Sequence, residues 1–105
     1  MAKIPIRVKN TINKYITALK EHNIPIKHVI LFGSYANGNY DDRSDIDLAI
    51  VSDLFVGDRI TDRSRVRAIT LSVSSDLEVL PYNTKEFTTD APFVKEILET
   101  GLRIV

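Results

Sequence analysis

Asp45 and Asp47 are separated by a single residue and alternate with the apolar residues Ile46 and Leu48. In an extended strand, residues i and i+2 point to the same face, with Cβ atoms roughly 6–7 Å apart. Two carboxylates held side by side repel each other unless a cation lies between them. Hard divalent ions prefer such oxygen ligands, so the pair indicates a metal site. A solvated pair on an edge strand would give the same pattern, and the Asp-x-Asp motif alone does not separate the two interpretations.

A glycine-serine turn precedes the aspartates and favours the metal-site interpretation. The apolar run KHVILF stops at Gly33, and Ser34 follows it. Glycine has no Cβ, so the backbone can bend sharply there and approach a ligand closely. A serine that opens a helical turn offers a hydroxyl and backbone N–H groups to a phosphate. No G-K-[ST] follows and no third spaced glycine is present, so the segment is neither a Walker loop nor a dinucleotide fingerprint.

The combined pattern is G-S-x-x-x-G-x-x-x-x-x-S-D-x-D-L, and it resembles the signature of the minimal nucleotidyltransferases of the DNA polymerase β superfamily. The resemblance covers most of the chain and implies a polymerase-β-like catalytic palm. It also implies that Asp45 and Asp47 bind Mg²⁺, in a two-metal site, together with the triphosphate of ATP or another nucleotide. Gly33, Ser34 and Ser44 would then contact the nucleotide. The residues that match the signature are Gly33, Ser34, Gly38, Ser44, Asp45, Asp47 and Leu48.

The resemblance further implies a third catalytic and metal-binding carboxylate on a later strand. The segment SDLEVLPY offers two acidic residues at i and i+2, Asp76 and Glu78. Glu78 is the preferred candidate because Leu77 and Val79 flank it, which gives the apolar-acidic-apolar setting that the family uses. Asp76 is the alternative.

Two positions depart from the family pattern: Glu78 is a glutamate where aspartate is more usual, and the second departure is the more important. Many relatives carry arginine just before the second glycine, where this chain has Asn37. A cation that would neutralise triphosphate charge is therefore missing, and activity is expected to be weak or the substrate unusual unless another arginine substitutes. The candidates for that substitution are Arg43, Arg59, Arg63, Arg65 and Arg67.

The elements around the motif predict a single α/β domain over residues 1–105, with a small mixed sheet covered by helices. Apolar residues at helical spacing predict the first helix, whereas short apolar or alternating runs predict strands. Pro81 is expected to end the third strand. The predicted order is helix 6–21, strand 27–32, a helical turn after Gly33, strand 45–52, helix 58–72, strand 75–82, helix 92–99 and a short strand within 102–105.

Composition narrows the possible partners and compartment. The chain has 44% apolar and 27% charged residues, zero formal net charge and no cysteine. No membrane span or signal peptide is indicated, so we expect a soluble cytoplasmic protein. With no net positive charge and no basic-aromatic platform, a nucleic-acid partner is not indicated.

The acceptor is expected to come with a partner protein, because a palm of this size has little surface with which to hold one. The family resemblance implies a HEPN-domain protein, with the transferase as the antitoxin that adds AMP to the toxin. The sequence is compatible with a homo- or hetero-oligomer and does not identify the oligomeric state. The alternative is a catalytically weak or inactive palm that acts as a protein-binding antitoxin module.

Overall fold

The computed structural model describes residues 4–105. The helices are α1 (Ile6–Glu21), α2 (Ser34–Asn37), α3 (Arg59–Val73) and α4 (Pro92–Thr100). The strands are β1 (His28–Phe32), β2 (Ile46–Val51), β3 (Leu77–Tyr82) and β4 (Leu102–Arg103). No helix within this part of the chain is long and apolar enough to cross a membrane. The order of elements is the one that the sequence predicts.

The strands form one mixed sheet in the order β3-β2-β1-β4. β2 runs parallel to β3 and antiparallel to β1, and β4 adds to the other side of β1 in antiparallel register. The sequence prediction of a small mixed sheet covered by helices is confirmed. The antiparallel and parallel pairings bring the end of β1 and the starts of β2 and β3 to the same end of the sheet.

Both faces of the sheet are apolar at its centre, which explains why the strands read as nearly continuous apolar runs. On one face, side chains such as Leu31 and Leu48 pack with residues of α1 and α3. On the other face, Ile30 and Ala49 pack with residues of α4, including Ile97. Asp47 shares this second face with Ala49, because alternate residues of a strand point the same way.

Strand β3 ends later than the sequence predicts, and burial along helix α3 does not follow the polarity of its residues. Ile60 and Leu71 are 78% and 58% exposed, while the polar residues Asp62 and Thr70 of the same helix are buried. Pro81 does not end the third strand but lies inside it, since β3 continues to Tyr82. Proline is tolerated there because β3 is an edge strand of the sheet.

Candidate active site

The turn after β1 is built on a glycine in a backbone conformation that other residues rarely adopt. Gly33 precedes α2 and has φ 74° and ψ −147°. These dihedral angles lie close to a region of backbone conformation that is almost exclusive to glycine. The Gly33 carbonyl accepts hydrogen bonds from the N–H groups of Ala36 and Asn37 at 3.1 and 3.0 Å. Gly38 then ends α2 in the left-handed conformation, with φ 81°. The two glycines of the motif therefore bound a single helical turn that begins at Ser34.

Gly33 also makes room for the second aspartate. Phe32 and Asp47 are opposite one another in the antiparallel register of β1 and β2. A Cβ atom on Gly33 would collide with the Asp47 carboxylate. The absence of a side chain at position 33 thus lets an acidic group lie directly against the backbone of the turn.

The carboxylates of the predicted site come from neighbouring strands. Asp47 lies opposite Glu78 in the parallel register of β2 and β3, and Asp45 precedes β2 by one residue. Burial raises the pKa of Asp47, and the negative charges of Asp45 and Glu78 raise it further. The charges of Asp45 and Glu78 therefore act on Asp47, and a cation among these carboxylates would relieve the repulsion. Carboxylate oxygens are also the ligands that Mg²⁺ prefers.

Glu78 is engaged by a cation of the protein itself. The Arg63 guanidinium on α3 donates to Oε1 of Glu78, with an Nη2–Oε1 distance of 3.0 Å, and both side chains are about half exposed. Within residues 4–105, no group of three or more histidine or acidic side chains is placed to hold a metal ion. The donor chemistry fits a divalent ion, while the carboxylate of Glu78 is directed to Arg63.

The alternative third carboxylate, Asp76, is placed differently. It precedes β3, and its backbone carbonyl accepts a hydrogen bond from the N–H of Ile46 at 2.8 Å. Its charge acts on Arg7, whose pKa is raised mainly by a hydrogen bond to Tyr35. Asp76 does not contribute to the raised pKa of Asp47, whereas Glu78 does. The geometry favours Glu78, and its assignment as the third carboxylate stays a prediction.

Ser44, which the sequence places at the nucleotide, closes the loop between α2 and β2. Its Oγ accepts a hydrogen bond from the N–H of Asp41 at 2.9 Å, and its own N–H donates to the Asp41 carbonyl at 3.2 Å. The Asp41 carboxylate also accepts from the N–H of Arg43 at 2.8 Å. Ser44 therefore stabilises the loop that leads into Asp45. A direct contact of Ser44 with the nucleotide stays a prediction.

Two features near the site are not evident from local sequence. Tyr35 is fully buried in the core and stacks on Tyr40 with ring centroids 4.7 Å apart. The Arg7 guanidinium donates to the Tyr35 hydroxyl at 3.0 Å. Arg7 and Tyr35 are 28 residues apart in the chain, so a local motif does not indicate this contact. The hydrogen bond holds α2 against α1.

Among the arginines that could replace the missing cation at position 37, Arg63 is the one whose side chain contacts a predicted site carboxylate in the described part of the chain. Arg59 lies 5.9 Å from the Tyr82 ring centroid, and Arg65 donates to the Leu54 carbonyl at 3.2 Å. A cavity of about 200 Å³ lies beside Gly33 and Asn37 and is lined on its other side by residues of α4.

Comparisons with known proteins identify the family of the domain. A family model of the nucleotidyltransferase domain matches residues 12–105. A protein of Methanocaldococcus jannaschii, named as a candidate protein adenylyltransferase, is 47% identical over 47 residues, a match that covers 44% of this chain and 47% of that protein. The chain therefore spans about half the length of the curated relative that it matches.

Solved structures share the fold. A toxin–antitoxin solved with AMP-PNP is 26% identical, with a TM-score of 0.63 over 89% of this chain and 71% of that chain. A tri-AMPylated HEPN toxin in complex with an MNT antitoxin, from Shewanella oneidensis, is 22% identical, with a TM-score of 0.60 over 93% of this chain and 71% of that chain. A candidate nucleotidyltransferase from Sulfolobus solfataricus is 20% identical, with a TM-score of 0.56 over 98% of this chain and 89% of that chain.

The family match includes the glycine-serine turn, both aspartates and Glu78, and it extends to the last residue of the chain. The resemblance that the sequence motif indicates is thereby confirmed, and the chain belongs to the nucleotidyltransferase domain family.

Proposed function

We propose that this chain is a metal-dependent nucleotidyltransferase that transfers AMP from ATP to a hydroxyl group of a partner protein. The observation that carries the proposal is the position of Asp47, which lies against the Gly33 turn and opposite Glu78. This places an acidic ligand for a cation directly against the backbone of the turn, because the missing side chain of Gly33 makes room for the Asp47 carboxylate. Catalysis of phosphoryl transfer depends mainly on such positioning and on charge stabilisation.

Each residue of the site has a distinct task in this proposal. Asp45 and Asp47 would hold the divalent ion that accompanies the triphosphate, and Glu78 would be the third carboxylate and help to activate the attacking hydroxyl. Gly33 and Ser34 would contact the β- and γ-phosphates. When bound, paired Mg²⁺ ions would stabilise the charge that develops on the entering and leaving oxygens.

The acceptor is proposed to be a HEPN-type protein, for which this chain would act as the antitoxin. Two lines of support favour this choice. The fold matches a HEPN toxin–MNT antitoxin complex in which the toxin is AMPylated, and the 47-residue match is to a candidate protein adenylyltransferase. The proposal therefore includes a heteromeric complex in which the partner supplies the hydroxyl.

The first test is isothermal titration of ATP, GTP, CTP and UTP, each with Mg²⁺, into the wild type and into Asp45→Asn/Asp47→Asn. We expect ATP to bind in a Mg²⁺-dependent manner and the double variant to lose this binding. A matched control is Glu21→Gln/Asp90→Asn, which removes two exposed carboxylates that are not among the predicted site residues and should bind like the wild type.

Absence of nucleotide binding by a folded wild-type protein would overturn the enzymatic proposal for this chain. The protein-binding antitoxin would then be the better account. It would be tested directly by whether the double variant still binds and neutralises a HEPN partner.

A further inference from the structure

β3 is an edge strand that pairs with β2 on one side and has an open side opposite it. Hydrogen bonds at both ends of the pairing show which residues of β3 face β2. The N–H of Ile46 donates to the Asp76 carbonyl at 2.8 Å, and the N–H of Ser52 donates to the Tyr82 carbonyl at 3.0 Å. Because the backbone groups of alternate residues point to opposite sides of a strand, the even-numbered residues of β3 face β2.

The odd-numbered residues of β3 direct their backbone groups to the open side. These groups are the N–H and carbonyl of Leu77 and of Val79 and the carbonyl of Pro81. Within residues 4–105 they make no hydrogen bond. Proline has no N–H, and at this position its presence removes no bond of the sheet. A row of unpaired backbone groups is a template on which another extended chain can form a strand.

A groove of about 460 Å³ runs along this open side, between β3 and α3. On its α3 wall, Arg63 and Arg67 lie between the exposed apolar residues Ile60 and Leu71. Ile60 and Leu71 are eleven positions apart, which is about 16 Å along a helix axis. An extended segment of about five residues has the same length. The groove therefore has room for a short strand beside β3.

The Arg63 side chain reaches across the open side of β3. Helix α3 covers the sheet face on which Leu77 and Val79 pack, whereas Glu78 points to the opposite face, because side chains alternate along a strand. The 3.0 Å contact between Nη2 of Arg63 and Oε1 of Glu78 therefore joins the two faces past the edge. Both side chains are 48% exposed, and an ion pair with this exposure contributes little stability. The guanidinium can thus move aside at small cost.

The groove has an excess of positive charge. Arg63 is paired with Glu78, whereas Arg67 makes no hydrogen bond or ion pair with any other residue in the range 4–105. A segment with acidic side chains is therefore complementary to the groove. A second copy of this chain fits less well. Two-fold pairing of the β3 edges would place the two α3 helices side by side and bring their arginines together.

We propose that the open side of β3 binds an extended, acidic segment of a partner protein, which adds a fifth strand to the four-stranded sheet. Hydrogen bonds to the backbone of Leu77 and Val79 provide affinity, and carboxylates that face Arg67 provide specificity. This inference goes beyond the proposed function, because strand pairing requires neither a metal ion nor a nucleotide.

The first measurement is amide hydrogen exchange of the free protein, followed for each residue by NMR. The amides of Leu77 and Val79 are expected to exchange at least about tenfold faster than those of Glu78 and Leu80, which face β2. Similar exchange rates at all four positions would show that the edge is covered, and the proposal would be wrong.

The probe for binding is a seven-residue peptide in which threonine alternates with valine, glutamate, glutamate and valine. As a strand it has two carboxylates between two apolar ends on one face. At saturation it should slow the exchange of the Leu77 and Val79 amides about tenfold. The same peptide with lysine in place of glutamate should bind at least about fivefold more weakly, because its charge is reversed.

Two N-methylated peptides test whether binding occurs by strand pairing. Each lacks the N–H groups of one alternate set of residues. Only one set faces β3 in a paired strand, so one peptide should lose binding while the other binds like the unmodified peptide. The methylated peptide that still binds controls for the effect of methylation on peptide conformation.

Variants of the protein test the role of charge. Arg67→Gln should weaken binding of the acidic peptide about two- to fivefold. Lys14→Gln removes an exposed charge from α1 and should leave the affinity unchanged, which controls for net charge. Asp45→Asn/Asp47→Asn should retain peptide binding, because neither residue lines the groove.

The outcomes separate this inference from the proposed function. Failure of the acidic peptide to bind, or equal effects of the two methylations, would overturn the inference. It would also be wrong if sedimentation shows that the free protein dimerises and the Leu77 and Val79 amides are protected in the dimer, because the occupant is then a second copy. None of these results affects the proposed function, which depends on Mg²⁺-dependent nucleotide binding. Absence of nucleotide binding would in turn leave the strand-pairing inference in place.

Discussion

The carboxylate of Asp47 lies where a side chain on Gly33 would be. A Cβ atom built on Gly33 would collide with the Asp47 carboxylate, and the φ of Gly33 is +74°. The glycine is therefore required both by its own backbone conformation and by its neighbour on β2. Because Asp47 is also a predicted metal ligand, the same contact links the stability of the turn to the function of the site.

Gly33→Ala is expected to reduce both stability and nucleotide binding. The substitution forces a residue with a Cβ into a backbone region that glycine alone tolerates, which costs about 1–3 kcal/mol. The steric collision adds to this cost and displaces Asp47. Urea denaturation followed by circular dichroism would measure the loss of stability, and calorimetric titration of ATP with Mg²⁺ would measure the loss of binding.

Gly38→Ala is the matched control. Gly38 also has a positive φ, of +81°, but among residues 4–105 no atom other than those of Gly38 and its chain neighbours lies within 4 Å of the position that its Cβ would occupy. This variant should lose only about 1 kcal/mol through backbone strain and should keep nucleotide affinity. Equal effects of the two substitutions on binding would show that contact with Asp47 is not what makes Gly33 necessary.

Asp47→Asn should make the protein more stable at neutral pH while it removes function. Burial and the charges of Asp45 and Glu78 raise the pKa of Asp47, so the folded protein holds this proton more tightly than the unfolded chain. The free energy of unfolding consequently falls as pH rises through the interval between the two pKa values. Above that interval the wild type carries the whole cost of burying the ionised Asp47 carboxylate beside two other negative charges, and Asp47→Asn does not. It should be more stable than the wild type by less than about 1 kcal/mol, because the carboxyl is only partly buried and solvent screens it.

Denaturation with urea at about pH 7 and about pH 3 would test the sign. At the lower pH Asp47 is protonated in both states, so the advantage of Asp47→Asn should disappear. Asp90→Asn, at an exposed position, should show no such difference. A variant that is less stable than the wild type by the same amount at both pH values would contradict the role of charge repulsion.

Local patterns predict most of the fold, because they record burial along a single element. The apolar residues of α1, such as Val8 and Ile12, recur on one face and are buried. In α3 the pattern fails, since Ile60 is exposed whereas Thr70 is buried. Thr70 is tolerated in the core because its hydroxyl donates to the Val66 carbonyl at 2.9 Å and also bonds to the hydroxyl of Tyr15, 55 positions away, at 2.7 Å. A contact at that separation leaves no local signal.

Some residues of the predicted site can likewise be identified from a local motif, whereas the positions of others depend on the three-dimensional fold. The spacing of Gly33, Asp45 and Asp47 is local and can be read from the sequence motif. The position of Glu78 depends on the parallel pairing of β2 with β3, and its contact with Arg63 depends on how α3 is rotated on the sheet. The sequence therefore offers Asp76 and Glu78 as alternatives, and only the three-dimensional arrangement distinguishes their surroundings.

Asp62 should be important for stability, although it lies outside the site. Its buried carboxylate accepts hydrogen bonds from the N–H groups of Val56 and Gly57 at 2.9 and 3.0 Å. Asp62→Ala leaves both donors without this partner and should lower the free energy of unfolding by about 2–4 kcal/mol. Asp62→Asn retains one acceptor oxygen and should have an intermediate effect. Urea denaturation would measure the free energy of unfolding of the wild type and of both variants. Equal stability of Asp62→Ala and the wild type would show that the hydrogen bonds to Asp62 do not stabilise the fold.

Tyr15 should make the protein sensitive to alkaline pH. Burial raises the pKa of Tyr15 to about 12, although the hydrogen bond to Thr70 opposes the rise. Between the ordinary tyrosine pKa of about 10 and this value, the unfolded chain loses the proton while the folded protein keeps it. The free energy of unfolding should therefore fall across this window as pH rises, by up to about 2–3 kcal/mol when the folded pKa is reached.

Tyr15→Phe isolates this contribution because it removes the titrating hydroxyl and keeps the ring. The variant should be less stable at about pH 8 by about 1 kcal/mol, since the hydrogen bond to Thr70 is lost. It should then lose less stability than the wild type between about pH 9 and about pH 12. Urea denaturation of both proteins across this range gives the difference directly, in which the titration of lysines common to both cancels. Parallel loss of stability in the two proteins would mean that Tyr15 ionises in the folded state as readily as in the unfolded chain.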